Sequence, residues 1–183
     1  MKRIFFVLAV AGALLAVSSP EATAQPYRLS VTLNPFSWVL GFYGFEATVP
    51  LGRAVELGGQ ATMFNEDFFE TTYDSTVKVT SDRPLFYPFR GGGVIRFFPF
   101  EDLTGGFVTG RAMYVEVPGE SEGSGTSGEV AVGIDIGYRQ LWSAGRGWGW
   151  MTHVYAGFDR IVTDNAGAPP VLPVLGLRAG LYF

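Results

Sequence analysis

The amino-acid sequence predicts an all-β protein, an eight-stranded antiparallel up-and-down transmembrane β-barrel. Three observations carry that expectation. Apolar and small or polar residues alternate with period two in eight stretches after Gln25. The links between those stretches are short and long by turns; in a meander this gathers the short turns at one end and the long loops at the other, as in outer-membrane barrels. The apolar set carries almost no charge, while the opposite set is mostly Gly, Ser, Thr and Gln with scattered Arg, Asp and Glu.

Residues 1–24 stand apart. Lys2-Arg3, the apolar run Ile4–Val17 and the small, polar Ser18–Ala24, ending Ala22-Thr23-Ala24, have the layout of a cleaved secretory signal peptide. The apolar run is shorter than the ~18 residues that a membrane-spanning helix needs. The barrel domain is then 25–183. Removing Lys2, Arg3 and Glu21 leaves 11 basic and 16 acidic side chains, net −5, which argues against a nucleic-acid partner. Cysteine is absent, so disulfides and thiolate metal sites are excluded.

The elements follow in order. The first strand sets Tyr27, Leu29, Val31 and Leu33 against Arg28, Ser30, Thr32 and Asn34. The second sets Tyr43, Phe45, Ala47 and Val49 against Gly44, Glu46 and Thr48; the third sets Val55, Leu57, Ala61 and Met63 against Glu56, Gly58, Gln60 and Thr62. The fourth is less regular, with Phe89, Ile95 and Phe97 opposite Arg90, Val94 and Arg96. In the fifth, Val108, Ala112 and Tyr114 oppose Thr109, Arg111 and Met113. The sixth turns Val130 to Tyr138 away from Glu129, Asp135 and Arg139, and the seventh turns Trp148 to Phe158 away from His153, Tyr155 and Asp159. The eighth alternates Leu175, Leu177, Ala179, Leu181 and Phe183 with Gly176, Arg178, Gly180 and Tyr182. Short links are expected at 51–54, 99–105 and 143–147, and long ones at 35–41, 66–84, 118–127 and 161–171.

The polar set is too poor in charge for a soluble surface, which typically carries ~25–35% ionic residues. It suits a narrow lumen, since eight strands leave an interior that side chains just fill. Arg28, Glu46, Glu56, Arg90, Arg96, Arg111, Asp135, Arg139, His153, Asp159 and Arg178 are therefore assigned to an inward polar network. Aromatic girdles are expected at both rims, with Tyr27, Phe97, Trp142, Trp148, Trp150 and Phe183 at the short-turn end. Phe36, Trp38, Phe42, Tyr43, Phe64, Tyr114 and Phe158 fall at the long-loop end.

Signal layout, strand and loop order, and the ending "GLRAGLYF" together resemble the small outer-membrane barrels of the OmpA/OmpX type. That resemblance implies an outer-membrane location in a diderm bacterium, with lipid and lipopolysaccharide as surroundings. It also implies that Leu177, Ala179, Leu181 and Phe183 form the signal read by the barrel-assembly machinery.

No cofactor or defined metal site is expected, because no EF-hand spacing occurs. His153 is the only histidine. The lipid A deacylases place His-x-Ser on a lipid-facing strand, whereas here the matching position is Tyr155 and His153 faces inward. A lumen histidine bonded to Asp135 or Asp159 is expected in place of a general base, and the chain is read as non-enzymatic. Glu66, Asp67, Glu70, Asp74 and Asp82 make one long loop acidic, and Glu120 and Glu122 add to the next. They are candidate contacts for lipopolysaccharide-bridging cations or a surface partner. The readings set beside this one are a lipid A-modifying enzyme, a soluble periplasmic lipid-binding barrel and a narrow channel.

Overall fold

A computed structural model describes residues 27–39, 42–64, 89–100, 103–117, 127–145, 147–163 and 171–183. The leader 1–24 and the loop acids Glu66, Asp67, Glu70, Asp74, Asp82, Glu120 and Glu122 lie outside the described residues. Eight strands run in sequence: β1 (Ser30–Leu33), β2 (Phe42–Pro50), β3 (Val55–Phe64), β4 (Phe89–Phe97), β5 (Gly105–Val117), β6 (Ser127–Gly145), β7 (Trp148–Ile161) and β8 (Val171–Tyr182). Each pairs antiparallel with the next, and β8 closes on β1. Closure pairs Ala179–Tyr182 of the edge that an open sheet would leave bare.

The seam is short. Only four pairs join β1 to β8, from Ser30↔Tyr182 to Leu33↔Ala179. Gly180 makes that approach feasible, because a Cβ there would come within 2.6 Å of the Thr32 Cα. Below the seam the main chain of Phe183 continues the pairing, with its N–H donating to Leu29 O at 2.8 Å and its carbonyl accepting from Arg28 N at 2.5 Å.

Strand one is shorter than its alternation predicts, and a helix follows it. Helix α1 (Pro35–Val39) occupies part of the long link expected at 35–41. Its start is written locally: Asn34 Oδ1 accepts the Ser37 N–H at 3.2 Å as an N-cap, and Pro35 stands at the first helical position. Ser37 Oγ lies 2.8 Å from Asn34 O and 2.9 Å from Phe42 O, tying both ends of the turn together.

Register then sorts the side chains. Ile134, Ile136, Tyr138, Val154 and Phe158 project outward and are exposed, while Asp135, Arg139, His153 and Asp159 between them are buried inside. Phe89 points outward by parity yet is buried. Its ring lies over Gly91, where an added Cβ would meet it at 2.8 Å. Inside, the short-turn end is sealed by Tyr27, Phe98, Leu103, Phe107, Met151, Tyr155 and Tyr182. Leu103 adopts φ 55° in the β4–β5 turn, a strained choice for a leucine, and the fully buried side chain offsets it. A smaller apolar cluster of Met113, Val115, Ala131 and Ile161, with Leu172 against it, lies nearer the long-loop end.

Candidate functional site

Between those apolar ends the lumen holds two ionic clusters. The one nearer the short turns is built around Arg96 of β4. Its Nη1 donates to Glu56 at 3.0 Å, its Nη2 to Glu46 at 2.9 Å, and its Nε to Thr109 Oγ1 at 3.1 Å. Arg139 forks onto both oxygens of Glu56 at 2.6 and 2.8 Å, and donates to Tyr27 Oη at 2.5 Å. Tyr27 in turn donates to Glu56. Arg178 pairs with Glu46 and donates to Gln60 Oε1 at 2.7 Å. This one cluster joins β2, β3, β4, β5, β6 and β8 across the barrel.

The second cluster lies above it. Arg111 bonds Asp159 at 2.7 Å through Nε and Asp135 at 2.5 Å through Nη1, and Arg90 also pairs with Asp159. The lower cluster has three arginines against two carboxylates, and the upper one has two of each. Aromatic faces supply what carboxylates do not: Arg96 sits 4.9 Å over Phe107, Arg139 4.8 Å over Phe98 and Arg178 4.8 Å over Tyr155.

The lumen glycines make room for these groups. A Cβ at Gly133 would fall 2.0 Å from Asp159 Oδ1 and 2.7 Å from Arg111 Nε. One at Gly137 would strike the Phe107 ring at 2.3 Å, and one at Gly176 the Tyr155 hydroxyl at 2.3 Å. The space each glycine frees is therefore filled by a neighbour's side chain.

Most of the residues assigned inward by alternation meet in these clusters: Glu46, Glu56, Arg90, Arg96, Arg111, Asp135, Arg139, Asp159 and Arg178. Three expectations are corrected. Arg28 is exposed, because the chain bends before β1 begins and the strand's parity does not extend back to it. Tyr27, expected in a girdle, is 2% exposed and buried in the lumen for the same reason. His153 is inside but bonds neither Asp135 nor Asp159; both ring nitrogens lack a hydrogen-bond partner. Its ring packs edge-on to Phe107 and Tyr155 at centroid distances of 5.8 and 6.2 Å. Gln60 and Thr109 belong to the network by the same alternation that located the charges, but neutral side chains drew no attention. Leu103 lies in a turn, where no periodicity could point to it, and Phe98 continues the inward parity of β4 just past its end, inside a run of aromatic residues that masks the alternation.

Leu177, Ala179 and Leu181 lie on the outward parity of β8, partly buried, and Phe183 is exposed beyond it. Among the described residues no group of three His, Asp or Glu side chains is placed to hold a metal ion. No described helix is long and apolar enough to cross a membrane, which says nothing of strands.

Fold and lumen together define a closed, eight-stranded up-and-down barrel with an ionic interior and an apolar outer wall. Comparison with protein-family models, with curated proteins and with solved structures finds no match for this chain.

Proposed function

We propose that the chain is an outer-membrane β-barrel, exported with a cleaved leader, whose role is structural and surface-interactive. One observation carries this reading: the outward face is apolar along the strand centres, while nine of the charges meet inside; Arg28 and Arg160 are exposed, before β1 and near the end of β7. Twenty-six large apolar side chains are exposed among the described residues, Ile136 at 65% and Leu175 at 85%. In water each leaves unrealised a share of the about 1.5–3 kcal/mol that full burial gives, a loss that acyl chains remove. A soluble lipid-binding barrel needs the reverse arrangement, with an apolar cavity and a charged exterior.

The same reading makes the protein non-enzymatic, since His153 is packed between aromatic rings with no nucleophile bonded to it. Specific interactions fall to the long loops. There Glu66, Asp67, Glu70, Asp74, Asp82, Glu120 and Glu122 would meet lipopolysaccharide-bound cations or a surface partner. Leu177, Ala179, Leu181 and Phe183 would be read by the assembly machinery as β8 is delivered. Cell fractionation and unboiled gel electrophoresis test the location. The expected result is recovery in the outer membrane with a folded band that shifts on boiling; recovery in the soluble periplasmic fraction would refute it.

A further inference from the structure

The barrel wall is incomplete beside β8. Strand β1 pairs only with Ala179–Tyr182, and among the described residues Val171–Arg178 of β8 have no strand partner on that side. The chain turns into α1 there, and α1 packs against β2 and β8 in place of a strand. A chamber of about 170 Å³ opens at this point. That is comparable to an engineered cavity of about 150 Å³ that admits benzene. Its lining belongs to both faces of the wall: inward Gly44, Gln60, Tyr155 and Arg178, together with outward Phe45 and Leu175. The chamber therefore reaches the gap between β2 and β8.

Its chemistry changes along its length. The inner end is lined by Arg90, Arg111 and Arg178, which pair with Asp159, Asp135 and Glu46, and the two lumen clusters together hold five arginines against four carboxylates. The Arg111 side chain is 3% exposed, and its Nη2 bonds to no group. Outward Leu175 and inward Val174 also border a largely apolar groove of about 600 Å³ on the outer face, lined by outward Ile134, Ile136, Ala156 and Phe158 and by inward Asp135 and Gly157.

We propose that this is a lateral portal binding a single-chain anionic amphiphile of the fatty-carboxylate class. The head group enters between α1 and β8 to meet Arg111 and Arg178, and the chain crosses Leu175 into the outer groove. The inference rests on the membrane reading, because the groove must face lipid.

Trp38 of α1, exposed and 6.0 Å from Tyr43, stands beside the portal as a reporter. The full barrel is reconstituted in phospholipid nanodiscs, with insertion scored first by flotation and the heat-dependent gel shift. A fatty acid brominated in mid-chain and the matching brominated alcohol are then titrated. The acid is expected to give a saturable quench that Trp38→Phe removes, at least tenfold tighter than the alcohol. Arg178→Gln should remove the preference for the acid. Gly44→Leu, whose Cβ would meet only Thr62 and Asn34, fills the chamber and should abolish saturable quenching by both probes. If an inserted barrel shows no Trp38-specific saturation, or if acid and alcohol bind alike, the portal is refuted while the membrane reading stands. Failure to insert refutes the membrane reading itself.

Discussion

Glu56 is the residue on which the lower lumen converges, accepting from Arg96, Arg139 and Tyr27 while fully buried. Deleting one partner of such a group leaves charges in low dielectric with nothing to answer them. Glu56→Ala is expected to cost on the order of 3–5 kcal/mol, read as a lower urea midpoint for unfolding in lipid. His153 makes the opposite case. Its two nitrogens have no partner to lose, so an apolar side chain of similar volume removes an unsatisfied polar group. His153→Leu should shift stability by no more than about 1 kcal/mol, and a loss as large as that of Glu56→Ala would show a hydrogen-bonded role. The contrast could not be drawn from sequence. Parity puts both side chains inside, but which inward groups meet depends on six strands arriving at one height.

At the scale of the strand, period two makes sidedness all-or-none. A slip of one residue in β6 would turn Asp135 and Arg139 outward and Ile134 and Ile136 inward. The ionic lumen thus works as a register lock, since only one parity pairs Arg111 with Asp135 and Arg139 with Glu56. Placing a charge on the wrong parity tests what surrounds the wall. Ile136→Arg is expected to lower folding stability in bilayers by about 2–4 kcal/mol, the cost of a cation at the midplane of a lipid-facing wall. Refolding yield in vesicles should fall accordingly, and an unchanged yield would argue that the face meets water. The alternation was legible wherever a strand ran straight. It misled at Tyr27 and Arg28, where a bend precedes β1, and it did not foresee α1.

For the molecule as a whole, the question is whether a closed barrel is also a pore. Arg96, Arg139, Phe98, Leu103, Met151 and His153 are all nearly or fully buried within a lumen only eight strands wide. An interior of eight strands is one that side chains can just fill. Planar-bilayer recording of the purified protein should therefore show no steady conductance; reproducible unitary steps would mean that the two ionic clusters open. The proposed portal beside β8 leaves this expectation unchanged, because the pairs of Arg90 and Arg111 with Asp159 line its inner end.

Strand number, chain order, the placement of long and short links and the inward facing of most charges on the described strands were determined by sequence alone. All of these follow from a two-residue period and from loop length, both local properties. The pairing of those charges, the aromatic rings stacked beneath them, the solitary histidine and the gap beside β8 were decided only when the sheet closed. Closure sets residues far apart in the chain side by side, at heights given by the stagger between strands.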